Sequence, residues 1–321
     1  AYILIYLAIV VLIGFPVMLS ELTIGRAAQA NAIDSFHKLG YRGFKWVGVT
    51  GVAVAFIVTS YYCHVGGWVL RYVVSYITEA QTVYADPLGY FYGLLGYNAA
   101  TGETWFPLTA ILFAAVFMAV NAFIIIKGVE GGIEKFNKVG MPALFVILIV
   151  LLARTITLDG AQAGFAYMLS CDWSKVDFNT FLSALGQAFF SLSVTGSGMI
   201  AYGSYLDRKE DVIAVSRHTA IFDTIAALVA ALVIIPACFS YDVSVDAGPS
   251  LLFITLPSIL QDIPLGQVFA IILYAAMIFA GVSSLQNMFE AVAESLLHRF
   301  PKLRRTVAPV SYTHLTLPTK A

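Results

Sequence analysis

Three residues near the end of the chain, Ala280, Ser283 and Ser284, fall at i, i+3 and i+4 of an apolar run, so a helix there presents them on one face. A main-chain carbonyl and two hydroxyls in that arrangement form half of an oxygen shell, which hard cations prefer. The same small residues would equally let two helices approach closely. A second cluster lies upstream, where Ser191, Ser193, Thr195 and Ser197 are interleaved with Leu192, Val194, Gly196 and Gly198. Glycine is a poor helix former, and serine and threonine hydroxyls compete for backbone hydrogen bonds. Asp223 sits inside a further apolar run. A carboxylate at membrane depth is costly and marks function by default; the plainer alternative is a boundary residue reaching cytosolic water beside Arg217.

The elements that must carry these groups are membrane spans. Of 321 residues, 60% are hydrophobic and 12% charged, and mean hydropathy is +0.84, far from the balance of a soluble domain. The net charge of -1 offers nothing to a nucleic acid. Cys63, Cys171 and Cys238 lie in no CxxC or His-rich context and read as small packing residues. A span needs about 20 apolar residues. Seven stretches qualify, at 1–25, 45–75, 105–127, 138–158, 179–205, 214–240 and 264–297. The fifth contains the glycine and hydroxyl cluster. A helix that breaks at bilayer depth frees N–H and C=O groups that lipid cannot satisfy, so the break must line a protein-enclosed cavity.

Positive charge sets the orientation. Arg26, Lys38, Arg42 and Lys45, then Lys127, Lys135 and Lys138, then Arg208, Lys209 and Arg217, mark one set of connections as cytoplasmic. The first span then runs from outside to inside, which implies a preceding span. The polar end 310–321 differs in style from everything before it and reads as a translated adaptor tail. The expected organisation is therefore one transmembrane fragment over 1–309 and an artefact tail over 310–321. The connection 241–263, with Ala247-Gly248-Pro249 and Phe253-Ile254-Thr255-Leu256-Pro257, is too apolar for a solvated linker and reads as a re-entrant loop.

Several stretches together resemble the neurotransmitter:sodium symporter family, in its bacterial amino-acid branch, a group of transporters built around broken helices. They are Gly14-Phe15-Pro16 with Glu21 and Gly25-Arg26; Tyr61-Tyr62 with Trp68; Lys127 to Lys135 followed by Met141-Pro142; Gly186-Gln187 through Tyr205; Ala247 through Pro257; and Phe279-Ala280-Gly281 with Ser283-Ser284. The resemblance covers about 1–305 in family order and implies spans two to eight. The fold it implies is an all-α membrane protein, a partial inverted-repeat sodium-symporter fold with a discontinuous helix.

The resemblance also implies roles. Ala280, Ser283 and Ser284 hold the positions of one sodium site, with Ser283 where many members carry threonine. Ser191 and Asp223 hold those of the other, Asp223 standing where an asparagine is usual. Val58, Tyr62, Phe190, Ser193, Ser284 and Met288 hold the substrate positions, Tyr62 at the substrate carboxylate and Phe190 as an outer lid. Tyr205 matches an inner gate, and Gly132 with Pro142 a helix-unwinding element. Na+ is the expected coupling ion. Chloride is not expected, because Ala227 replaces a serine and Asp223 adds a charge. The expected partners are an amino-acid substrate and the lipid bilayer, with no nucleic acid; a homo-oligomer is compatible. The function implied is sodium-dependent symport of a neutral amino acid across the bacterial inner membrane.

Two other classes fit less well. A seven-helix receptor leaves the broken fifth span without a reason, and the last span has no lysine at which retinal could attach. An intramembrane enzyme would need a base near Ser197, yet His218 and His298 lie toward cytosolic ends, and no HExxH motif is present.

Overall fold

The computed structural model describes residues 1–299 apart from 128, 195, 208, 242–244, 246–250 and 262–263; the side chains of 129, 130, 298 and 299 are also outside the description. The predicted tail 310–321, the Ala247-Gly248-Pro249 motif and Thr195 therefore lie outside the described residues. Among those described, β structure is limited to one isolated bridge, Tyr97 with Thr104.

Six helices are long and apolar enough to cross a membrane, by length and composition. They are α1 (Tyr2–Ala28), α3 (Lys45–Thr78), α6 (Leu108–Ile126), α7 (Lys135–Ile156), α11 (Val212–Ser240) and α13 (Gly266–Arg299). Between them lie α2 (Ala32–Lys38), α4 (Ala80–Ala85), α5 (Pro87–Leu94), α8 (Ala161–Leu169) and α12 (Leu256–Gln261). The fifth predicted crossing is not one helix. It is α9 (Phe178–Ser191) and α10 (Gly198–Tyr205), with Leu192, Ser193, Val194, Gly196 and Ser197 outside both. The remaining six predicted crossings each coincide with one long helix.

Local chemistry explains the boundaries. Asp177 caps α9 in a reciprocal box, accepting from the Thr180 amide at 2.7 Å while its own amide donates to Thr180 Oγ1 at 3.3 Å. Asn31 caps α2 by accepting from the amides of Ile33 and Asp34 at 2.8 and 2.9 Å. Two long helices contain a π-helical turn: Val10–Gly14 within α1, and Val129–Glu134 leading into α7. Both stand ahead of a proline, Pro16 and Pro142. A proline lacks the N–H that would bond one turn back; at Pro16 that partner is Leu12, inside the first widened turn, which absorbs the mismatch, whereas the second widened turn ends well before Pro142.

The chain divides into two compact units. One comprises Ala1–Ser60, Leu169–Leu228 and the chain from Ser284 on; the other comprises Tyr61–Met168 and Val229–Ser283. The core of the first gathers Tyr6, Ile9, Met18 and Leu22 of α1 with Ala184, Ala188 and Leu192, and with Met199 of α10. Here α1 crosses α10 at backbone contact. A methyl on Gly25 would overlap the carbonyl oxygen of Ile200, and one on Gly203 would overlap that of Leu22. In a membrane, burial of apolar surface gives little drive for helix association, so close van der Waals approach through small residues carries more of it.

The core of the second unit is aromatic. Tyr72, Tyr76, Tyr274 and Phe253 are fully buried. Phe253 stacks on Phe91 with ring centroids 5.0 Å apart. The Tyr72 hydroxyl donates to the Phe253 carbonyl at 2.7 Å, and Tyr274 donates to that of Leu252 at 2.5 Å. These bonds tie a π-helical turn, Leu251–Thr255, and α12 into the core. The apolar character of the 251–261 stretch therefore reflects burial.

Candidate functional site

The break between α9 and α10 is built by serine. Ser193 and Ser197 have left-handed backbones, with φ of +57° and +55°. That region is sparsely populated for residues with a Cβ, and its occurrence twice at one interruption marks stored strain of the kind found at functional sites. The sequence assigns the interruption to Gly196 and Gly198 together with the competing hydroxyls, and the left-handed positions fall on two of the serines, not on the glycines. Their role is proximity. A methyl on Gly198 would overlap the Asn287 side-chain amide, and one on Gly196 would lie 3.1 Å from the Ala55 methyl. Ser197 is buried against Gly51 of α3, and Leu192 against Gly14 of α1. The interruption is thus enclosed by α1, α3 and α13 residues of its own unit.

At the last turn of α9, the Ser191 hydroxyl donates to Asp223 Oδ2 at 2.6 Å. This bond spans 32 residues of sequence and joins two groups that sequence reasoning placed together. A hydroxyl bonded to a carboxylate is among the stronger hydrogen bonds in proteins. It fixes two oxygens side by side, which is what a hard cation needs. Val58, Ser193 and Ser284 are half-buried in the same unit, Met288 is buried, and Phe190 is 41% exposed.

Ala280, Ser283, Tyr62, Gly132 and Pro142 belong to the second unit. Ser283 donates to the Ala280 carbonyl at 2.9 Å, so the carbonyl and hydroxyl predicted to share a helical face do so. Ser284 follows at the unit boundary. Tyr62 is half-buried, and its ring edge lies 3.8 Å from where a methyl on Gly281 would stand. Tyr61, by contrast, is 58% exposed, which matches a lipid-facing tyrosine. Gly132 is buried in the π-helical turn, where a methyl would overlap the Ile124 carbonyl oxygen, and Pro142 is exposed within α7. Among the described residues, no three or more His, Cys, Asp or Glu side chains come together as a metal-binding group. The donors on hand are hydroxyls, carbonyls and one carboxylate, a set that suits sodium and not zinc or copper.

Sequence reasoning missed how α10 is fastened. Tyr205 donates to Glu290 Oε1 at 2.6 Å, and Ser204 donates to Glu294 Oε1 at 3.1 Å. Both acids lie on one face of α13, and Glu290 is completely buried. Their i, i+4 spacing was the available signal; their partners 85 and 90 residues away were not. Gln286, also completely buried, has no protein partner for either amide atom among the described residues.

A model of the sodium:neurotransmitter symporter family matches residues 95–317. A sodium-dependent transporter of Bacillus subtilis is 33% identical over 92% of this chain, and the match covers 64% of that relative. One from Haemophilus influenzae is 32% identical over 95% of this chain and 67% of its own length. The chain thus spans about two thirds of the length of these relatives. The crystal structure of MhsT in complex with L-phenylalanine superposes with a TM-score of 0.88 at 35% identity, over 99% of this chain and 72% of MhsT. With the interrupted crossing and its oxygen-rich surroundings, these matches show that the chain belongs to the sodium:neurotransmitter symporter family, in its bacterial branch.

Proposed function

We propose that the chain forms part of a bacterial inner-membrane symporter that couples entry of sodium to entry of a neutral amino acid. The observation that carries this reading is the strained interruption at Ser193 and Ser197 beside the Ser191–Asp223 pair. Ser191 and Asp223 supply two oxygens to one sodium, and the negative charge of Asp223 takes the place of a bound chloride. Ala280, Ser283 and Ser284 supply oxygens to a second sodium. Val58, Tyr62, Phe190, Ser193, Ser284 and Met288 form the substrate pocket, with Tyr62 donating to the substrate carboxylate and Phe190 covering it. Tyr205, held by Glu290, guards the inner path, and Gly132 with Pro142 loosens the α7 entrance.

Sodium dependence of the Bacillus and Haemophilus relatives supports the coupling ion, and the L-phenylalanine complex of MhsT supports the substrate class. Coupling requires that sodium and substrate together favour one state over another by their difference in binding energy. The test is binding of radiolabelled L-phenylalanine and of smaller neutral amino acids to the purified full-length transporter in sodium and in choline. Binding that rises with sodium and is indifferent to chloride is expected. Equal binding in choline would remove the symport reading.

A further inference from the structure

The connection between α2 and α3 combines charge, aromatic surface and a hollow in a way that transport does not require. Its sequence is Tyr41-Arg42-Gly43-Phe44-Lys45-Trp46, and Arg42–Phe44 forms a 3-10 turn leading into α3. All six residues are exposed, with Tyr41 at 63%, Phe44 at 58% and Trp46 at 73%. Three neighbouring exposed aromatic rings are unfavourable against water. They are favoured at a membrane interface, where aromatic side chains sit at headgroup level. The rings are ordered on one another: Phe44 stacks on Phe36, and Tyr41 meets Phe44 edge-on, each at 6.4 Å between centroids. Gly40, with φ of +90°, turns the chain into this cluster.

Beside the aromatic cluster is a cavity of about 690 Å³, lined among others by Asn31, Asp34, Arg42, Lys45, Trp46 and Ser295. All belong to one compact unit. Among the described residues, Asp34 is the only carboxylate in the lining, and Asn31 Nδ2 donates to it at 3.0 Å. Ser295 is spent on the Ala291 carbonyl at 2.8 Å. Arg42 and Lys45 therefore leave the hollow with an excess of positive charge. The same loop carries the cytoplasmic positive bias, which places it at the leaflet where anionic lipids attract basic segments.

We propose that the Tyr41–Trp46 connection seats the headgroup of an anionic phospholipid of the inner leaflet, with Arg42 and Lys45 at the phosphate and Tyr41, Phe44 and Trp46 at the acyl boundary. The lipid holds the mouth of α3 at a fixed depth. Two interfacial cations give on the order of a tenfold or greater preference for anionic over zwitterionic lipid.

The experiment uses the purified protein in nanodiscs doped with phosphatidylglycerol or phosphatidylcholine, each brominated near the headgroup and at equal mole fraction, with tryptophan fluorescence as the readout. Brominated phosphatidylglycerol is expected to quench more strongly. The excess should vanish in Trp46→Phe, which removes the reporter at an exposed site and leaves the fold intact. It should fall about tenfold in apparent affinity in Arg42→Gln/Lys45→Gln. Equal quenching by the two lipids, an excess that survives Trp46→Phe, or an apparent affinity unchanged in Arg42→Gln/Lys45→Gln overturns the proposal. So does loss of the excess on adding inorganic phosphate at matched ionic strength, because a free anion would then be the occupant.

Discussion

Replacing Asp223 by Asn separates its charge from its geometry. The amide keeps an oxygen within reach of the Ser191 hydroxyl, now 2.6 Å from the carboxylate, so the local hydrogen bond survives and stability should change by less than about 1 kcal/mol. What disappears is one negative charge at the proposed sodium site. At about 4 Å and an effective dielectric near 20, two unit charges attract by about 4 kcal/mol. Part of that is offset by desolvation of the carboxylate, leaving a net effect of about 1.5–3 kcal/mol. Half-saturation by sodium should therefore rise by about 10- to 150-fold. Ser191→Ala keeps the charge and loses one positioning oxygen, so its rise should be nearer tenfold, on the order of one lost hydrogen bond. The assay is sodium titration of L-phenylalanine binding at fixed substrate, with thermal unfolding of the same preparations alongside. A well-folded Asp223→Asn protein with unchanged sodium half-saturation would refute the assignment, as would a larger effect from Ser191→Ala than from Asp223→Asn.

Gly25→Ala should destabilise by about 1–3 kcal/mol, because the new methyl overlaps the Ile200 carbonyl and the backbones must separate; denaturation midpoints in detergent check it. Tyr72→Phe removes the donor to the Phe253 carbonyl, at about 1–3 kcal/mol for the acceptor left buried, and should speed hydrogen exchange through 251–261 while leaving α9 unchanged. Tyr205→Phe should loosen α10 from Glu290 by about 1.5–3 kcal/mol and raise the accessibility of a cysteine probe on α10. The hydroxyl and amide of Thr180 hold the exposed Asp177 carboxyl below its usual range. Because the folded value is the lower one, its cap is fully present above about pH 4 and is lost as pH falls through the depressed value. Protection factors of amides in the first turn of α9, corrected for the intrinsic pH dependence of exchange, should therefore fall below about pH 4, and should show no such step in Asp177→Ala.

The architecture was legible wherever apolar length alone decides it. Six runs of about 20 or more residues became six long helices, and the hydroxyl-rich interruption split the seventh. The position of the break was also legible, but its mechanism was not. Propensity points to the glycines and the hydroxyl residues alike, and does not say that the left-handed positions fall on Ser193 and Ser197 while the glycines serve contacts with Ala55 and Asn287. Helical periodicity sees residues along one rod. It placed Ser283 with Ala280 because the pair lies within about one turn. It could not see Tyr205 reaching Glu290 or Tyr72 reaching Phe253, since nothing local encodes a partner 85 or 181 residues away. The pairing of Ser191 with Asp223 came only through likeness to a family, and the 2.6 Å bond now gives it a geometric basis.

The π-helical turn Val10–Gly14 has a bearing on evolution and engineering. Such a turn accommodates one residue more than an α-turn would. Excising any single residue there would let an uninterrupted α-helix form, while everything downstream to Ala28 keeps its facing. Gly25 would then still meet the Ile200 carbonyl, so the close approach of α1 to α10 survives. A single-codon deletion in this pentapeptide should thus be far less damaging than one further along α1, where no spare residue exists and the rest of the helix would swivel by about 100°.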